Sequence, residues 1–258
     1  TDMASLSKEI DSYAKNKKLE LEALKIREEY RKEFIGNVSH ELKTPLFTVQ
    51  GYISTLIEGA ADDPKIRDKY LKRADKGVDR LIYIVKDLDM ITKLEVGDAN
   101  LTVETFNILE TITNVFDLLE IKAEKKNISL LLDKDYPAPV MVHADRDRIQ
   151  QVLSNLVVNS IKYGHQNGTT EVSVEVLNSE KMIVRVTDNG EGVEAKHLTR
   201  LFERFYRVDK SGSREEGGSG LGLSIVKHII EAHDEKIYVE SKFGIGSEFS
   251  FTLQKQNQ

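Results

Sequence analysis

Residues 218 to 223, Gly218-Ser219-Gly220-Leu221-Gly222-Leu223, set three glycines at alternate positions where an apolar helical pattern begins, over about 220 to 233. Glycines in that setting let backbone N–H groups and a helix N-terminus face a phosphate. The spacing overlaps with a dinucleotide-binding fingerprint, but a polar loop precedes it and not a strand, so a Rossmann unit fails on context. A Walker A loop fails as well, because no Lys-Ser or Lys-Thr follows the glycines. The rest of the chain must supply a different kind of nucleotide site.

Three further motifs lie around that loop. Asn155 and Asn159 stand four apart on a helical pattern from about 145 to 162, sharing one face, with Lys162 and Tyr163 at its end. Such a face offers amide oxygens to a hard cation such as Mg²⁺ and an ammonium to a phosphate. Thr187-Asp188-Asn189-Gly190-Glu191-Gly192 follows a strand-like run. Gly190 and Gly192 permit a tight turn and close backbone approach. The Asp188 carboxylate can accept from the exocyclic amine of adenine, where guanine presents a carbonyl, which is a route to ATP over GTP. Leu201 to Arg207 places Phe202 and Phe205 three apart as core anchors, and opens a Gly- and Ser-rich stretch from Asp209 to Ser219 that reads as a lid. Taken singly, each motif has an ordinary structural use, as a polar helix face, a turn or a loop.

The chain divides near residues 97 to 103. Before that boundary, no glycine precedes Gly36 and no proline precedes Pro45, and the Lys-, Glu- and Leu-rich composition predicts one long helix or two continuous ones to about residue 58. Leu6, Ile10 and Tyr13, then Leu21 and Leu24, form an interrupted coiled-coil pattern. Ile35, Val38, Leu42, Val49, Ile53 and Leu56 mark one apolar face. Gly59 fits a C-cap, and Asp62-Asp63-Pro64 fits the start of a second helix whose stripe is Ile66, Tyr70, Leu81, Ile84, Leu88 and Ile91. Such a helical hairpin leaves much of its stripe wet, and a homodimeric four-helix bundle would cover it. After the boundary, helical patterns at about 107–126, 145–162, 195–205 and 220–233 alternate with strand-like runs at 128–132, 140–142, 172–177, 182–187, 237–240 and 248–253, with the tail from Gln254 read as frayed. The fold class is therefore α+β: a helical hairpin with a coiled-coil lead-in, then an α/β sandwich of helices on one face of a mixed sheet.

Composition narrows the function classes. The 258 residues carry a formal net charge of -6, which gives no basic field for nucleic acid or an anionic membrane surface. The absence of cysteine excludes a thiolate nucleophile and a disulfide scaffold. No run approaches the ~20 apolar residues of a membrane-spanning helix. The chain begins at Thr1 without a Met, so it is expected to be a fragment whose membrane segment was left out.

In order along the chain, the Asn pair, Asp-x-Gly-x-Gly, the Phe pair, Gly-Ser-Gly-Leu-Gly and Phe243-Gly244-Ile-Gly246-Ser resemble the N, G1, F, G2 and G3 boxes of the sensor histidine kinases. Val38-Ser-His40-Glu41-Leu-Lys-Thr44-Pro45 resembles their H box. The resemblance implies a coiled-coil signalling helix over 1–30, a dimerisation and phosphotransfer domain over 31–97, and a Bergerat-fold ATP-binding domain over 103–255. It implies that His40 takes a phosphoryl group from Mg-ATP and passes it to an aspartate of a response regulator. Glu41 would accept the other ring proton, and Thr44 would serve phosphatase chemistry on the phosphorylated regulator. It further implies that Asp188 reads adenine, that Asn155 and Asn159 bind the Mg²⁺-phosphate end with Asn159 on the metal, and that Lys162 and Arg207 neutralise phosphate charge. Tyr163 would pack near the base, while Gly190, Gly192, Gly218, Gly220, Leu221 and Gly222 shape pocket and lid. From the residues themselves, His40 lies half a helical turn from both Val38 and Leu42 and so points away from the bundle core, and Pro45 should bend its helix. One departure from the family pattern is Asp234-Glu235 after His233, where paired glycines are usual. Two rival readings are a Bergerat-fold ATPase doing mechanical work and an ATP-binding dimeric scaffold without phosphotransfer. The first needs a glutamate early in the Asn-pair helix, where the chain has Asp147, Arg148, Gln150 and Gln151.

Overall fold

The computed structural model describes residues 3–95, 101–208 and 219–256. Gly97, Gly218 and most of the expected lid lie outside the described residues. The chain divides into two compact units, Thr1–Ile84 and Val85–Gln258.

The first unit is helical. Helix α1 (Met3–Ile57) runs through Pro45 without a break. Proline removes one backbone donor there, and side-chain hydroxyls bond back to carbonyls nearby, Thr44 to His40 at 3.2 Å and Thr48 to Thr44 at 2.9 Å. After α1 the chain turns at Gly59, whose φ of 115° suits glycine alone, and passes through a 3₁₀ turn over Ala60–Asp62. Helix α2 (Pro64–Glu95) then starts on an Asp63 cap, its Oδ1 accepting from the Lys65 N–H at 2.8 Å. The two helices approach closely at Gly77, where a Cβ would stand 2.5 Å from Val49 Cγ2. Within this unit Pro45, Ala74 and Ile84 are buried, whereas Ile35, Leu46, Ile53, Leu71, Val78 and Ile82 remain exposed, as do Ile10, Tyr13, Leu21 and Leu24 of the lead-in.

The second unit takes in the end of α2 and a mixed sheet with its helices. Its elements are β1 (Val103–Asn107), α3 (Ile108–Glu124), β2 (Ser129–Leu132), β3 (Met141–Asp145), α4 (Arg146–Tyr163), β4 (Thr169–Val176), β5 (Lys181–Asp188), α5 (Ala195–Leu198), α6 (Gly222–Ala232), β6 (Ile237–Lys242) and β7 (Gly246–Lys255). The strand order is β1-β3-β7-β5-β4-β2 with β6 also on β7, and every pair is antiparallel except β2 with β4. Strands β4 and β6 alternate between covered and exposed residues, so one sheet face carries the helices and the other faces water. Apolar stripes at helical spacing fill the layer between: Ile112, Val115 and Leu119 on α3, Ile149, Leu153 and Leu156 on α4, Ile225 and Ile229 on α6. Leu88, Met90 and Ile91 of α2 join the same core.

Four sequence expectations change. Strand β1 is absent from the pattern because, on a sheet edge, only Phe106 of its five residues is buried. The helix expected over 195–205 is the single turn of α5; beyond it the chain descends by i to i−3 turns, ending at Phe205 with φ 61°. The tail is not frayed at Gln254, which pairs with both Lys181 and His143. Asp234 takes the left-handed turn with φ 58° in place of glycine, and Glu235 turns inward to Lys181 Nζ at 2.7 Å and the Thr252 hydroxyl. The Asp-Glu pair thus closes α6 and ties it to the sheet.

Candidate active site

Asp188 ends β5 between two neighbours, registered against Thr170 of β4 and Ser247 of β7. Its Oδ1 accepts from the Gly190 N–H at 2.9 Å and the Ser247 N–H at 3.3 Å. Among the described residues Oδ2 has no hydrogen bond, so one carboxylate oxygen is held and the other is presented. Burial raises the Asp188 carboxyl above the ordinary carboxylate range, opposed by the two backbone bonds and by the charge of His165. Glycines give the surrounding turn its tightness. A Cβ on Gly190 would stand 2.4 Å from the Tyr163 carbonyl oxygen, and one on Gly246 would stand 2.0 Å from the Asp188 carbonyl oxygen. Gly192 has φ 67° and packs on the Lys242 carbonyl.

Two expected outcomes follow for a nucleotide bound here. Asp188→Asn removes a charged acceptor and should weaken ATP binding by about 2 kcal/mol, roughly 30-fold in Kd by titration calorimetry. A ligand amine that prefers the ionised carboxylate binds more tightly as pH rises through the carboxyl's own midpoint. Since burial moves that midpoint upward, wild-type affinity should fall on acidification before an ordinary carboxylate would titrate, and Asp188→Asn should lose that dependence.

Helices α4 and α6 meet beside the glycine run. Asn155 and Asn159 are partly buried on α4, and Asn155 Oδ1 lies 3.3 Å from where a Gly222 Cβ would be, at the N-terminus of α6. Leu221, fully buried, caps α6 and anchors that N-terminus in the core. Lys162 Nζ lies 5.0 Å from the ring centroid of the exposed Tyr163, and Lys126 Nζ donates to the Lys162 carbonyl at 2.6 Å. The loop between the Phe pair and the glycine run is clamped at its base, because the Phe205 N–H donates to the Gly220 carbonyl at 2.9 Å and Gly220 takes φ 73° against Phe205. Arg207 is partly buried just beyond that clamp. Phe202 meets Phe249 edge-on at 6.4 Å, an anchoring contact and not a pocket wall. No cluster of three His, Asp or Glu exists among the described residues.

In the first unit, His40 is 68% exposed on α1. Its Nδ1 lies 4.0 Å from Glu41 Oε1, although adjacent residues diverge on a helix. Glu41 is only 19% exposed, and its Oε2 accepts from Arg80 Nη2 on α2 at 3.3 Å. Thr44 lies one turn along, its hydroxyl on the His40 carbonyl.

Several contacts had no sequence signal. Arg80 is 39 residues from Glu41, and a charge on a helix face does not announce its partner. Ser247 was visible only as part of the last glycine motif, not as a donor to Asp188. The Ser219 hydroxyl donates to Asp87 near the end of α2 at 3.1 Å, inside the second unit, and burial raises that carboxyl while the bond opposes it.

Residues 30–97 match the family model of the His Kinase A (phospho-acceptor) domain, and residues 144–257 match that of the histidine kinase-, DNA gyrase B- and HSP90-like ATPase. The solved catalytic domain of histidine kinase ThkA, in a nucleotide-free form, is 32% identical, with a TM-score of 0.52, and the match covers 61% of this chain and 100% of that one. The chain belongs to the histidine kinase family. Among curated histidine kinases, sensor histidine kinase WalK of Bacillus subtilis (strain 168) is 36% identical over 226 residues, 86% of this chain and 36% of that protein. The chain spans about a third to a half of the length of the WalK proteins it matches. ThkA solved in complex with response regulator protein TrrA is 30% identical with a TM-score of 0.68, covering 87% of this chain and 61% of that one.

Proposed function

We propose that this histidine kinase chain transfers the γ-phosphoryl group of ATP to His40 and then to an aspartate on the receiver domain of a response regulator. The observation that carries the proposal is His40 itself: an exposed imidazole beside a largely covered carboxylate, in a chain whose other unit holds the Asp188 carboxylate among tight glycine turns. Asp188 Oδ2 accepts from the adenine amine, and Tyr163 lies along the base. Asn155, Asn159, Lys162, Arg207 and the α6 N-terminus bind the phosphates. Mg²⁺, with Asn159 as its protein ligand, neutralises phosphate charge when bound. Positioning and charge stabilisation dominate phosphoryl transfer, so the residues need to orient more than to react.

The domain assignment is a coiled-coil signalling helix over 1–30, a dimerisation and phosphotransfer domain over 31–97 and a catalytic domain over 103–255. A homodimer is supported by the exposed apolar residues of α1 and α2, which a second copy would cover. A regulator partner is supported by the solved complex of ThkA with TrrA. Thr44 is the candidate for orienting water during dephosphorylation of that regulator. No described helix is long and apolar enough to cross a membrane. The same reading places the chain on the cytoplasmic side of the inner membrane as part of a sensor, and the relative WalK is itself named a sensor histidine kinase.

Incubation with γ-labelled ATP and Mg²⁺, followed by addition of a receiver domain, tests the proposal. Label that is acid-labile, alkali-stable and then lost to the receiver supports it. Release of free phosphate without labelled protein would indicate an ATPase instead.

A further inference from the structure

We infer that Arg80 is a positioning residue for phosphorylation of His40, acting through Glu41. This rests on the reading of His40 as the phosphoacceptor. The Glu41 carboxylate is divided between two neighbours: Oε2 takes the Arg80 guanidinium at 3.3 Å, and Oε1 lies on the His40 side, 4.0 Å from Nδ1. A bidentate arginine fork would occupy both oxygens; a single contact pins one and leaves the other directed at the imidazole. Both partners are largely covered, with Arg80 27% and Glu41 19% exposed, so the pair is less screened than an ordinary surface bridge.

The hairpin is built to allow this reach. Gly77 lies one turn before Arg80, and Pro45 lies one turn after Glu41. A Cβ at Gly77 would stand 2.5 Å from Val49 Cγ2 and 3.7 Å from the Pro45 carbonyl oxygen. The two helices are thus at close approach beside the Arg80–Glu41 pair, and the arginine spans the gap without extending into water.

The chemical consequence concerns the tautomer of the ring. A neutral imidazole carries one N–H, and an acceptor on the Nδ1 side favours the Nδ1–H form, leaving the lone pair on Nε2. In the transfer, the Nε2 lone pair forms the N–P bond and the bond from the γ-phosphorus to the bridging oxygen breaks. ADP leaves with that electron pair, and the Nδ1 proton passes to Glu41 Oε1. Without Arg80 the carboxylate is free to swing away on its rotamers, as an acid adjacent to the histidine on a helix ordinarily would.

The test uses Arg80→Gln and Arg80→Lys in the full chain. Autophosphorylation is followed at varied ATP, and the His40 ring is observed by long-range ¹H–¹⁵N correlation above pH 8, assigned with His40→Gln. Arg80→Gln should lower the rate at saturating ATP by at least ~10-fold, part of the roughly 10²–10⁴-fold a general base supplies because the carboxylate itself remains, with KM for ATP unchanged. Arg80→Lys, which keeps the charge, should recover most of that rate. The His40 tautomer population should move from Nδ1–H toward Nε2–H in Arg80→Gln. An unchanged rate in Arg80→Gln overturns the proposal. So does a rate loss with wild-type tautomer populations, which would mark Arg80 as a structural residue. The tautomer measurement needs no turnover, so a wild-type chain that fails to label on His40 counts against the proposed function and not against this role.

Discussion

His40→Gln should abolish acid-labile labelling by γ-labelled ATP while leaving nucleotide affinity as it is. In the proposed reaction the imidazole is the nucleophile, and glutamine has no ring nitrogen with a free lone pair to form an N–P bond. The side chain is 68% exposed, so the substitution removes little packing and should change stability by no more than about 0.5 kcal/mol. In the same proposal nucleotide affinity is set by Asp188 and the residues of the second unit, none of which is altered. Labelling and ATP titration on the same preparation check both halves. Residual acid-labile label in the variant would place the acceptor elsewhere.

Gly192→Ala should destabilise the second unit by about 3 kcal/mol. Placing a Cβ at φ 67° costs about 1–2 kcal/mol in the left-handed region. The new atom would also stand 2.1 Å from the Lys242 carbonyl oxygen and 3.1 Å from that of Gly246, backbone that cannot swing aside as a flexible side chain would. Forced shifts of that kind cost about 1–3 kcal/mol more. For a unit of this size, a melting temperature lower by about 10 °C is expected. Gly244→Ala is the internal control, since its φ is 79° but nothing lies within 4 Å of the added carbon, so it should cost only the backbone term. Equal melting temperatures for the two variants would contradict the packing argument.

Why some of this was legible in the sequence and some not follows from the range of each signal. The stripes of α3, α4 and α6 repeat within a single element and are read directly, as are the Asp63 cap and the Gly59 turn. Asp188 stood out because a carboxylate between strand and glycines is a local pattern, yet its support by Ser247 depends on β5 and β7 pairing across 59 residues. Strand β1 was hidden because one buried Phe106 makes no alternation. The apolar residues from Leu198 to Phe205 imitate a helix in spacing, while their backbone follows successive tight turns to a left-handed Phe205. Arg80 is the sharpest case. Its role exists only because α1 and α2 meet at Gly77, and no pattern inside α2 separates it from the other basic residues on that helix.

The most direct measurement is the position of the phosphate after wild-type chain is incubated with ATP and Mg²⁺, read by peptide mapping at alkaline pH. The expected result is phosphate on the peptide that contains His40, on that histidine and on none of the other five. Phosphate on a serine, threonine or carboxylate, or on a different histidine, would contradict the assignment of His40 as the phosphoryl carrier.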